Sequence, residues 1–89
     1  MKQVFYSKQF KKDIARIQKR GQRMSRVKEI LTILMNGKKL PFACRDHKLT
    51  GDYVGHRDCH VEPDLVMIYK TDANDLYLER IGSHADLFN

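Results

Sequence analysis

The sequence predicts an α+β fold, in which a short N-terminal strand, an αα-hairpin and then a three-strand antiparallel meander form one sheet packed on the helices. Three observations predict it. Apolar residues recur at steps of three and four between positions 10 and 34, strand-like runs follow at about 53–61, 65–70 and 76–81, and short polar turns separate those runs.

Each element has its own signature. "KQVFYS" (2–7) mixes β-branched and aromatic residues and reads as the first strand, with Ser7 placed to cap the helix after it. Phe10, Ile14 and Ile17 give the first helix an apolar stripe, and Lys8, Lys12, Arg16 and Lys19 give it a basic one, until Gly21 ends it. Met24, Val27, Leu31 and Leu34 repeat the period in a second helix, with Ile30 and Ile33 widening the stripe and Asn36 and Gly37 stopping it. Both apolar stripes are core, because so short a chain has little else to bury. Residues 37–52, with Gly37, Pro41 and Gly51, show neither period and read as a functional or mobile loop. "EPD" and "DAND" then join the three runs as consecutive hairpins, and Ser83 with Asp86 makes a capping-box pattern for a final helical turn.

Length and composition bound the function. The 89 residues form a single domain (1–89) that folds without disulfides. Cys44 and Cys59 fit no disulfide framework and no leader-like segment precedes them, so a reducing cytoplasm is the expected compartment. No apolar run approaches the roughly 20 residues of a membrane span. The net charge of +6 is unevenly spread: residues 1–50 carry 14 Lys and Arg against 3 Asp and Glu, whereas residues 51–89 carry 3 against 8. The first half therefore suits a polyanion, either nucleic acid or an acidic protein.

The second half holds the chemistry. "HRDCHVEPD" (56–64) alternates so that His56, Asp58 and His60 share one strand face, while Cys59 and Val61 face the core. Cys44/His47 and His56/Cys59 each have the spacing of half a zinc site. Yet His56 and Cys59, three apart on a strand, point to opposite faces, and no metal site is expected. Pro63 sets a turn that is expected to bring Asp64 within cross-strand reach of His60. His84 falls in the first turn of the last helix, near unpaired amides suited to phosphate, and Phe88 lies beyond it on the same face to plug the core or stack on a base.

The ordered set "RDHKLTG", "GHRDCHVEPD", "IYK" and "ERIGSHADLF" resembles the YafQ-type mRNA interferases of the RelE toxin superfamily, over nearly the whole chain. The resemblance implies a bacterial toxin that enters the ribosomal A site and cuts mRNA without a cofactor. It also implies a DinJ/RelB-like antitoxin from the same operon, with operator DNA met only through the antitoxin complex. The family's functional positions fall on His47, His60, Asp64, His84 and Phe88. Lys48 stands where relatives usually have proline, and His56 where they have an aromatic, which marks His56 as a packing substitute.

Cleaving RNA without a metal requires a base for the 2′-hydroxyl proton, an acid for the departing 5′-oxygen, and positive charge for the phosphorane. Free imidazoles titrate near 6.5 and serve either proton role. The expected roles are His60 as base, helped by Asp64 or His47, His84 as acid, and Arg80 as charge stabiliser. Lys8, Lys12, Arg16 and Lys19 are expected to hold RNA or ribosome. Two other readings stay open: a gyrase-inhibiting toxin of the same fold, which needs no proton carriers, and a non-catalytic nucleic-acid-binding module, for which the basic helices suffice.

Overall fold

The computed structural model describes residues 1–88. Ser7 sets the first junction, between strand β1 (Gln3–Tyr6) and helix α1 (Lys8–Lys19). Its hydroxyl oxygen accepts the Phe10 N–H at 2.9 Å and its hydroxyl donates to the Glu79 carbonyl at 2.8 Å, so one side chain starts the helix and ties it to the sheet. Gly21, at φ 85°, turns the chain toward α2 (Ser25–Met35). Phe10 and Ile17 of α1 and Val27, Ile30 and Leu34 of α2 are buried, as their spacing predicts.

The helices lie on a sheet of order β1-β5-β4-β3-β2, with β2 (His47–Lys48), β3 (Arg57–Glu62), β4 (Leu65–Thr71) and β5 (Asp75–Gly82). β1 runs parallel to β5, Gln3 opposite Asp75; the other pairings are antiparallel. Alternation divides the two faces. Cys59, Val61, Leu65, Met67 and Tyr69 face α1 and α2, whereas Val66 and Ile68 point the other way, under Leu87 of α3 (His84–Phe88), Leu49 and Tyr53.

Two sequence expectations shift. Residues 37–52 are not a structureless loop: 3₁₀ turns at Phe42–Cys44 and Gly51–Tyr53 flank β2, which adds a fifth strand to the predicted four. Two residues cannot display a period of two. The third strand begins at Arg57 rather than near 53, because Gly55 at φ 88° interrupts the extended chain. His56 therefore precedes the strand, mostly buried, with Nε2 3.6 Å from Glu79 and its ring edge-on to Tyr53. α1 and α2 cover one face as predicted, and the short α3 covers part of the other.

The core also contains a carboxylate. β1 ends at Tyr6 opposite Leu78, so the edge of β5 beyond it needs another partner, and fully buried Asp13 of α1 supplies one. Asp13 accepts the Ile81 N–H at 3.1 Å, Arg80 Nε at 2.8 Å, Arg16 at 2.9 Å and Gln9 at 3.0 Å. Burial alone pushes this carboxyl up, but the bonds from Arg80, Gln9 and Ile81 outweigh it and hold the group below the ordinary aspartate range. Among the described residues no helix is long and apolar enough to cross a membrane.

Candidate active site

Pairing of β2 with β3 sets His47 opposite Asp58. The path to β2 bends at Arg45, the one non-glycine residue at positive φ (49°) among those described, and this bend aims the Arg45 carbonyl at the imidazole. His47 Nδ1–H donates to that carbonyl at 2.8 Å and lies 3.0 Å from Asp58 Oδ1. Both neighbours are acceptors, so the ring proton belongs on Nδ1 and the Nε2 lone pair is left for a proton from outside. Asp58 is buried. Desolvation pushes its carboxyl above the ordinary range, against the pull of His47, His60 and His84. The sequence shows Asp58 on the polar face but gives it no role; its place two residues before His60 is the signal that could have found it.

His60 follows Asp58 on the same face, opposite Val66 rather than Asp64. The register shifts after His60 so that Glu62 pairs with Leu65, which leaves Asp64 in the turn. The expected His60–Asp64 pair is thereby replaced. Asp64 Oδ1 lies 3.6 Å from His84 Nδ1 and accepts the His84 N–H at 3.4 Å. Ser83 and Asp86 close the predicted capping box, Ser83 N–H donating to Asp86 at 3.0 Å and Asp86 N–H to Ser83 Oγ at 3.1 Å. Of the amides that the sequence offered to phosphate, those of Ser83, His84 and Asp86 are therefore already bonded to side-chain oxygens.

The His60 and His84 rings stand 5.3 Å apart, and the Phe88 ring is 5.9 Å from His84 and 6.4 Å from Tyr53. Phe88 is half exposed; Leu87, not Phe88, plugs the core. His47, Asp58, His60, Asp64, His84 and Phe88 thus meet on the face turned away from α1 and α2, and the strand order sets His60 between His47 and His84.

The cations are distributed otherwise. Lys8, Lys12 and Lys19 are exposed on α1, across the sheet from the histidines. Arg16 and Arg80, which the sequence assigns to substrate, turn inward to Asp13, because a buried carboxylate must be paired. Cys44 and Cys59 are buried and unpaired, and desolvation pushes the Cys59 thiol up, which makes it a packing residue rather than a nucleophile.

α3 is held by a clamp from the residue that caps the C-terminus of α1. Arg20 grips both oxygens of Asp86 at 2.7 and 3.2 Å, and a Cβ on Gly82 would come within 2.9 Å of that carboxylate. The Arg20 bonds hold the Asp86 carboxyl far below its ordinary range. Asp86→Ala is expected to cost about 1 kcal/mol, the usual loss of a cap, and to speed hydrogen exchange at the Leu87 amide relative to core amides. Unchanged exchange there would show that the clamp does not hold α3.

Comparison with known proteins places the chain in a family. Residues 2–89 match a family model described as the bacterial toxin of a type II toxin–antitoxin system, YafQ. The mRNA interferase toxin YafQ of Escherichia coli K12 is 44% identical over 86 residues, which cover 96% of this chain and 94% of the relative. A crystal structure of YafQ from E. coli BL21(DE3) superposes with a TM-score of 0.94 at 41% identity, over 100% of both chains. A crystal structure of the E. coli DinJ–YafQ toxin–antitoxin complex matches with a TM-score of 0.92 at 43% identity, covering 99% of this chain and 98% of that one. With the match running from residue 2 to residue 89, the chain belongs to the YafQ family of bacterial type II toxin–antitoxin toxins.

Proposed function

We propose that this toxin is an mRNA interferase, an endoribonuclease that cuts mRNA in the ribosomal A site by activating the RNA's own 2′-hydroxyl. The observation that carries the reading is the line of three imidazoles, with a carboxylate beside each of the outer two. His47 Nε2 takes the 2′-hydroxyl proton while Asp58 faces Nδ1–H and stabilises the imidazolium that forms. The 2′-oxygen attacks phosphorus in line with the departing 5′-oxygen, which takes a proton from His84. Asp64, beside His84, orients the ring for that transfer. His60 stands between base and acid, where a ring N–H meets the phosphorane charge. This reading moves the base from His60 to His47, because the free Nε2 and its carboxylate support belong to His47. The half-exposed Phe88 ring offers a face to a nucleotide base.

The partner on this reading is a DinJ-like antitoxin, as in the E. coli complex. An apolar groove of about 430 Å³ between α1 and α2, lined by Tyr6, Phe10, Ile14 and Leu31 and rimmed by Lys11 and Lys28, suits an amphipathic acidic segment of it.

The test uses programmed ribosomes. Cleavage is expected to leave a 2′,3′-cyclic or 3′-phosphate and a 5′-hydroxyl, and one 2′-deoxy nucleotide 5′ of the scissile phosphate is expected to abolish it. Cutting of the deoxy substrate at the parent rate would sink the mechanism.

A further inference from the structure

The segment between α2 and β2 borders a cleft of about 620 Å³ on the side of the sheet away from the histidines. Five cations line it, Lys2, Lys38, Lys39, Arg45 and Arg57, against a single acid, Asp46. Asp46 is already engaged: Arg57 Nε donates to it at 3.0 Å, and the Tyr69 hydroxyl, whose pKa burial pushes up, also faces it. Lys2 donates to the Asp72 carbonyl. Lys38, Lys39 and Arg45 have no carboxylate partner among the described residues, and all three are exposed.

Phe42, at the lip, is 99% exposed. Neither packing nor hydrogen bonding in the fold uses its ring. A bare aromatic among unpaired cations is the composition of a platform for single-stranded nucleic acid, with stacking for a base and cations for the flanking phosphates.

One lining residue is shared with a hollow that reaches His60. Arg45 lines both this cleft and a second hollow of about 440 Å³ that contains His60 and Arg26. The residue whose carbonyl holds His47 is thus the one common to both linings.

We infer that the Phe42 cleft is a second RNA-binding site, which stacks an unpaired base on Phe42 and holds the adjoining phosphates on Lys38, Lys39 and Arg45. The occupant is a single strand of RNA, drawn either from the mRNA beyond the cut or from ribosomal RNA. The bare Phe42 ring beside those three cations favours RNA, which brings a base to stack as well as phosphates, over an acidic protein segment. The inference takes from the proposed function only that RNA is the toxin's target.

The test measures anisotropy of a short fluorescein-labelled RNA, 2′-O-methylated throughout so that it cannot be cut, and in a second arm the binding of the toxin to ribosomes without mRNA. Phe42→Ala is expected to weaken binding about 5- to 150-fold, the loss of one stacked base. Lys38→Gln with Lys39→Gln is expected to reduce the log–log salt slope by about 1.4, at roughly 0.7 per cation on a single strand. Since these side chains are exposed, the variants keep the fold, and kcat at saturating ribosome is expected to stay at the parent value while KM rises.

Weakened binding of the free oligonucleotide identifies the mRNA path; weakened ribosome binding with the oligonucleotide unaffected identifies ribosomal RNA. Parent-like behaviour in both arms overturns the inference. So does parent-like RNA binding with loss of affinity for an acidic antitoxin peptide, which would assign the cleft to the antitoxin. If the parent toxin cuts no RNA, the 2′-hydroxyl mechanism fails, while both binding arms still decide this site.

Discussion

Alanine at His84 is expected to slow mRNA cleavage by about 10²- to 10⁴-fold, the usual contribution of a positioned acid or base, and alanine at His47 by a comparable factor. The fold is expected to survive both, since the two side chains are 54% and 56% exposed. Single-turnover rates against pH separate the roles. A base must be neutral, so the parent rate falls toward low pH and His47→Ala removes that limb. An acid must be protonated, so the parent rate falls toward high pH and His84→Ala removes the other. If alanine at His60, rather than at His47, abolishes the low-pH limb, the base is His60 and Asp58 only positions His47. Full activity in His84→Ala would remove it from the mechanism altogether.

Asp13→Ala is expected to be the most damaging single change to stability. It strands the inward-turned Arg80 and the Ile81 N–H at a fully buried position, a loss of about 3–5 kcal/mol. For a domain of this size that lowers Tm by roughly 12 °C or more, measurable by calorimetry. The sign with pH comes from the direction of the shift. Asp13 is held below its unfolded value, so its contribution is complete above about pH 4 and is lost as pH falls through the folded pKa. Asp13→Asn should therefore show a shallower acid limb than the parent. A Tm within a degree or two of the parent would mean that Arg80 and the β5 edge find water in place of the carboxylate.

The parts of the fold legible in the sequence were those with several periods to display. Phe10, Ile14 and Ile17, then Val27, Leu31 and Leu34, mark two helices unambiguously, and the alternation at Cys59 and Val61 marks the core side of β3. β2 escaped because His47 and Lys48 are too few to alternate, and the start of β3 was set too early because Gly55 acts through a dihedral angle that composition does not reveal. The partners of Asp13 were equally hidden: a single acid on a basic helix gives no sign of burial, and Arg80 reaches it across 67 residues. At the site, the resemblance supplied the residue types and the structure supplied their neighbours. The offset of Asp64 from His60 to His84 rests on one register shift in β3 that no residue type announces.

The parallel pairing of β1 with β5 bears on how the toxin comes into being. Gln3 meets Asp75, so the first strand made waits for the last, and the sheet stays open at that edge until residues 75–78 have been translated. At about 5–20 residues per second the wait is roughly 4–14 s. During that time the face proposed for catalysis is incomplete, because His84 and Phe88 are later still. On the proposed function, a nascent chain therefore lacks the acid that cleavage needs, and the same interval leaves the helical hairpin, whose two helices are translated first, open to an antitoxin.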